Sequence, residues 1–247
     1  MVKLLLMLQF LTRIPVPSRS WIASDEEFRE GIIFFPVVGF IVGLFIVSSF
    51  YIGNLIGGRF LAVVTAVLVE AFITGGLHLD GLADTFDGMY SNRPKDKVLE
   101  IMKDSRIGTN GTLAIIFTVL LKAALLYHIT IPEVYPALLL MPVFSRLTMV
   151  FACRFSRYAR ENGLGNYFIG RINNKHVGVA VLWSVLFALI FPWTLIYLFI
   201  AYLFSRLYIK HITGIIEGMT GDTLGALCEL SELFYLMYIS IILMIGR

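Results

Sequence analysis

A chain of 247 residues that is 58% hydrophobic and only 15% charged, with a mean hydropathy of +0.83, falls outside the range of soluble globular proteins, where about 25% of residues are charged. A net charge of +3 is too small to point to nucleic acid. Cys153 and Cys228 stand far apart, without the spacing of a zinc site or a redox pair, and read as packing residues.

In chain order, MVKLLLMLQFLTRIPVP places Lys3 before an apolar run but lacks a small-x-small cleavage pattern, and Arg13, Pro15 and Pro17 follow at once. It reads as a retained short helix at the membrane interface. Ser24-Asp25-Glu26-Glu27 has the form of a capping box, which predicts a short amphipathic lead-in. The run 31–53 then has no charge at all, and at ~1.5 Å per residue it is long enough for a hydrocarbon core of ~30 Å. Further apolar runs at 60–79, 111–131, 134–153, 176–191, 193–210 and 224–246 bring the spanning candidates to seven, with only Pro192 and Trp193 breaking the fifth from the sixth. The expected fold is a single all-α polytopic membrane bundle over 1–247 with an N-terminal interfacial helix.

Basic residues are distributed unevenly among the connections. Those at about 80–110, 154–175 and 206–223 carry most of them, and the N-terminal arm adds Lys3, Arg13, Arg19 and Arg29, whereas the opposite connections hold only Arg59. The positive-inside rule places the N-terminus and the three polar connections in the cytoplasm.

At the end of the second run stands GGLHLDGLADTFDG. On a continuous helix Asp84 lies roughly 40° and Asp87 roughly −20° around the axis from Asp80, so the three carboxylates share a face. Left alone they repel, and a divalent cation removes the conflict. Hard oxygen donors favour magnesium, manganese or calcium over zinc. On the same cytoplasmic side, EIMKDSRIGTNG offers Lys103, Asp104, Ser105 and Arg106, with Gly108, Thr109 and Gly111 opening a helix whose free amides and dipole suit phosphate. ARENGLGNYFIGR adds Arg160, Asn162, Gly165, Asn166 and Arg171 as an anion-gripping loop. GMTGDTLGALCELSE sets Thr220 and Asp222 at the head of the last span, with Glu229 two turns later on the same side and Glu232 turned further round.

These groups are the equipment of phosphoryl transfer, which rests on positioning and charge neutralisation. Asp80, Asp84, Asp87 and Asp222 are the candidate metal ligands. Arg106 and Lys103 are candidate phosphate cations, and Asp87 or Asp104 is the general base. His78 reads as a packed histidine, Glu70 and Lys122 as intramembrane charges able to pair, and Arg146 and Arg206 as cations able to reach phosphates.

FLTRIPVP, REGIIFFPVVG, GGLHLDGLADTFDG, EIMKDSRIGTNG, GLGNYFIG and TGDTLGA together resemble the cobalamin-5′-phosphate synthase family, the adenosylcobinamide-GDP ribazoletransferases, over nearly the whole chain; Glu30 departs slightly from the family's form. The resemblance implies magnesium-dependent transfer from adenosylcobinamide-GDP to α-ribazole or its 5′-phosphate with release of GMP, at the prokaryotic cytoplasmic membrane. It makes the two substrates and the bilayer the expected partners, with a homo-oligomer and other corrinoid-pathway enzymes as further candidates. Two rivals stand beside it: a cation-coupled transporter, which would put acids at mid-membrane on interrupted helices in repeated halves, and another membrane phosphotransferase such as a CDP-alcohol phosphotransferase.

Overall fold

The computed structural model describes residues 2–16 and 24–246; Pro17 and Arg19 lie outside the described residues. Among the described residues no β-strand forms. The helices are α1 (Val2–Leu11), α2 (Asp25–Glu30), α3 (Phe35–Thr74), α4 (Leu77–Met89), α5 (Lys95–Ile101), α6 (Thr109–His128), α7 (Val134–Phe155), α8 (Asn174–Ala188), α9 (Thr194–Ile216) and α10 (Gly221–Ile245), with short 3₁₀ turns at Gly31–Phe34 and Leu164–Tyr167. The expected capping box forms at α2: Ser24 Oγ accepts from the Glu27 amide at 3.2 Å and the Glu27 carboxylate accepts from the Ser24 amide at 3.1 Å. Helix α1 buries Leu6, Met7 and Leu11 against the bundle.

Among the described residues, five helices (the run ending at Thr74, α6, α7, α9 and α10) are long and apolar enough to cross a membrane. Large apolar side chains such as Ile56, Phe60, Phe72 and Phe199 are 70% or more exposed, as a lipid-facing surface requires. Helix α3 holds the first two expected runs in one element that doubles back. Gly57 and Gly58 break it, with Gly58 at φ 71°, and beyond them the second arm returns so that Thr65 Oγ1 donates to the Ser49 carbonyl at 3.2 Å. The fifth expected run shortens to α8, 15 residues, below the ~20 a straight crossing needs. The second run also ends early: Gly75 and Gly76 both take left-handed backbone (φ 62° and 70°), so the helix of the second arm does not continue through the aspartates. A separate helix, α4, carries them.

Helix α7 is the hub, almost wholly buried and packed against α3, α8, α9 and α10. Gly39 and Gly43, one turn apart on α3, let the two backbones meet. A Cβ at either would stand 2.2 Å from the Pro142 carbonyl oxygen or 2.3 Å from that of Leu139, the close approach that small residues give membrane helices. At the far end Arg59 donates to the last carbonyls of α6, Leu126 at 3.0 Å and Ile129, and so caps that helix.

Inside the bundle Lys122 of α6 contacts Glu70 of α3 at 3.1 Å, Glu229 of α10 at 2.8 Å, and Glu232 of α10. Arg146 of α7 reaches the other Glu232 oxygen at 2.6 Å, and Ser145 donates to it at 2.8 Å. The expected Glu70–Lys122 pair is therefore present within a larger set. Glu229, expected on the side of Asp222, turns inward to it. Arg146 is spent on Glu232 and does not reach the phosphate side, and Arg206 lies over the Phe155 ring at 4.9 Å. Charges at this depth are tolerated because each finds a partner.

Candidate active site

Helix α4 packs between α6 and α10, and its register is set by glycine. A Cβ on Gly81 would fall 2.7 Å from the Asp222 carbonyl oxygen, and one on Gly225 3.2 Å from that of His78. Bare backbone on both helices therefore brings the acidic face of α4 beside the first turn of α10. Thr220 caps that turn by accepting from the Thr223 amide at 3.2 Å, so its hydroxyl is occupied by its own helix. The Gly75–Gly76 turn is held from the N-terminal arm, where the Arg13 amide donates to the Ile73 carbonyl at 2.6 Å.

Arg160 arrives from the loop after α7. Residues 157–159 pair with the segment before α10: the Met219 amide donates to the Arg157 carbonyl at 2.8 Å and the Ala159 amide to the Met219 carbonyl at 2.9 Å. This pairing sets the Arg160 guanidinium 2.8 Å from the Asp222 carboxylate. Asp84, half-buried on α4, feels both the burial and the neighbouring charges. Burial first, then Asp222 and Asp80, push its carboxyl up to about 7, against a single opposing cation, Arg160.

The structure gathers Asp80, Asp84, Asp222 and Arg160, and separates the other candidates from them. Asp87 shares the α4 face but is bound by the amides expected to hold phosphate: Gly108 N–H donates to it at 2.7 Å and Gly111 N–H at 2.9 Å. It caps α6, and a Cβ on Gly108 or Gly111 would collide with its carboxylate at 2.4 or 2.5 Å. Asp104 takes Arg106 in a two-pronged pair, at 3.0 and 2.6 Å on the exposed surface, and those hydrogen bonds hold its carboxyl down at about 2. Lys103, Ser105 and Thr109 are exposed nearby.

Two cavities share Gly163 and Leu164, and the smaller of them borders the acids. One of about 250 Å³ is lined by Asp80, Asp222 and Arg160 together with apolar side chains from six segments of the chain. The other, about 560 Å³, holds Asn162, Asn166 and Arg171 with Arg29 and Asp25. Gly165 lines the smaller one. Tyr158 and His78 also line the smaller cavity, and His78 is buried, as expected of a packed histidine.

Among the described residues, no three His, Cys, Asp or Glu side chains stand together closely enough to hold a metal ion. The fit to a hard cation lies in the surplus of negative charge around Asp84, and magnesium is commonly held by one or two carboxylates together with substrate phosphates rather than by a complete protein cage.

The sequence model of the cobalamin-5-phosphate synthase family matches residues 3–240. A protein of Alkaliphilus metalliredigens named adenosylcobinamide-GDP ribazoletransferase is 44% identical over 95% of this chain and 93% of its own length. Proteins of the same name are 39% identical in Clostridioides difficile, over 98% of both chains, and 42% identical in Acetivibrio thermocellus, over 95% of this chain and 96% of the relative. No solved structure matches. With a match that runs through every helix described above, the chain belongs to the cobalamin-5-phosphate synthase family.

Proposed function

We infer that this chain is an adenosylcobinamide-GDP ribazoletransferase. It moves the adenosylcobinamide phosphate group from adenosylcobinamide-GDP to a ribose hydroxyl of α-ribazole or its 5′-phosphate, and GMP leaves. A new P–O bond forms at the phosphorus next to the cobinamide arm, the P–O–P link to GMP breaks, and the hydroxyl proton passes to a carboxylate. Kinship along the whole chain supports the reaction. The observation that carries the chemistry is the junction of α4 and α10, where Asp80, Asp84 and Asp222 crowd together beside one arginine.

In this reading Asp80, Asp84 and Asp222 hold magnesium, which when bound would neutralise charge on the diphosphate. Arg160 turns from Asp222 toward the phosphates as they enter. Asp87 is the proton acceptor. Of the two carboxylates expected in that role, Asp104 is tied to Arg106 and held at about 2, a poor base at neutral pH. Each Asp87 oxygen keeps a second lone pair beyond its amide bond, on the face that also bears Asp84. Asn162, Asn166 and Arg171 face the larger cavity and the bulk of the corrinoid nucleotide. In this reading the site end of the bundle faces the cytoplasm at a prokaryotic inner membrane, an orientation that the lysine and arginine bias supports.

The purified chain, given adenosylcobinamide-GDP, α-ribazole 5′-phosphate and magnesium, is expected to release GMP, and chelation is expected to stop it. Absence of magnesium-dependent GMP would end this reading.

A further inference from the structure

The smaller cavity has a character that phosphoryl transfer alone does not require. Phe10, Leu11, Phe35, Met149, Phe168 and Leu224 give it apolar walls, while Asp80, Asp222 and Arg160 share the same lining. At about 250 Å³ it lies just under the ~300 Å³ at which whole-ligand pockets begin. It suits one flat ring system and not a corrin macrocycle. An apolar chamber opening beside the reacting acids matches the acceptor: a nucleoside has one ring buried at one end and a hydroxyl to present at the other. Guanine, polar along its whole edge, would lose more hydrogen bonds there than such walls return.

Among the described residues of that lining, two buried polar atoms have no hydrogen-bond partner: Nε of Arg160, beside the acids, and Nε2 of His78. His78 is 2% exposed. Its Nδ1 lies 3.4 Å from Arg146 Nη2, and a guanidinium can only donate, so Nδ1 is the accepting nitrogen. The ring proton then sits on Nε2, which has no hydrogen-bond partner in the structure. Buried donors left unpaired are uncommon and costly. Arg146 is itself fixed by Glu232, so the buried ion pairs of the bundle orient this histidine.

We propose that the cavity is the base subsite for the acceptor nucleoside, and that His78 Nε2–H donates to the free imine nitrogen of its fused-ring azole base. This rests on the transferase reading above. Ribazole carries a flat, methyl-bearing benzimidazole with one such nitrogen. The apolar walls select its shape and His78 selects its nitrogen.

The test is a comparison of acceptors by GMP release at saturating adenosylcobinamide-GDP and magnesium. The wild-type enzyme is given α-ribazole and the same nucleoside built on the corresponding indole, in which the imine nitrogen becomes C–H. The indole nucleoside is expected to lose on the order of tenfold in kcat/KM, the scale of leaving a buried donor unpaired. In His78→Phe the preference should shrink to near one while KM for adenosylcobinamide-GDP stays unchanged. Equal use of both acceptors by the wild type, or a preference that survives in His78→Phe, overturns the role of His78. Leu224→Phe, which fills the cavity, should raise KM for the dimethylated base and spare the unmethylated benzimidazole nucleoside. An equal rise for both overturns the placement of the base. GMP from neither acceptor in the wild type would instead strike the transferase reading itself.

Discussion

Two groups of acids lie about 10 to 15 Å apart along α10, Glu229 and Glu232 standing two to three turns beyond Asp222 at ~1.5 Å per residue, and they are built to opposite rules. In the interior Glu70, Glu229 and Glu232 share Lys122, and Arg146 takes the second oxygen of Glu232. At the end of the bundle, among the described residues, Arg160 pairs with Asp222 and is the one cation offsetting Asp84, which stands among Asp80, Asp87 and Asp222 and is pushed up to about 7. Interior charges come with their partners because nothing else can reach them. The acids at the rim are left short of positive charge, and that deficit marks where a ligand supplies it.

The largest expected effect comes from breaking the interior set. Lys122→Met leaves three carboxyls around a missing cation and should cost about 3–5 kcal/mol, read as a collapse of the unfolding temperature in detergent. Asp80→Asn or Asp84→Asn should do the reverse, lowering GMP release by about 100-fold or more, the scale for losing a group that stabilises developing charge, with the unfolding temperature held or raised. Near-normal turnover of Asp80→Asn at ordinary magnesium would remove the metal role. The pH dependence sharpens the contrast. Asp84 has a folded value above its ordinary 3.8, so folding favours its acid form. In metal-free protein that contribution is intact below 3.8 and is lost as pH rises through about 7. Asp84→Asn should therefore gain unfolding temperature over wild type at pH 8 and not at pH 4. Gly81→Ala should push α4 off α10 at a cost of about 1–3 kcal/mol, with a larger proportional loss of activity than of folded protein. The smallest effect belongs to the exposed pair: Asp104→Asn should change turnover by about twofold at most and leave thermal unfolding unmoved.

Much of this was readable in the chain. The charge-free run 31–53 and the helical spacing of Asp80, Asp84 and Asp87 are local patterns, and local geometry preserved them. The helix break was also written in the sequence, as Gly75-Gly76, but two glycines serve close packing as readily as a left-handed turn, and only the docking of Arg13 decides between them. The partners of Glu229 and Glu232 were hidden for a different reason. Angular position on α10 is the same whether a neighbouring helix or open solvent faces it, and no spacing says that α6 brings Lys122 there. Arg160 and Asp222 likewise meet through the short backbone pairing of 157–159 with Met219. The amides of Gly108 and Gly111, expected to hold phosphate, instead hold the Asp87 carboxylate, supplied from twenty or so residues upstream. The missing Cβ atoms at both glycines were the available signal, since they make room for a carboxylate as well as for a phosphate.

That carboxylate has a topological consequence. Asp87 sits in the last turn of α4 and grips the first turn of α6, so on top of the packing of those two helices its side chain fastens the excursion through α5 at its base, a hasp across the mouth of a loop. A protease that nicks the connection at 90–107 should therefore yield two fragments that stay together and keep working. With Asp87→Ala the same cut should let the severed ends drift apart.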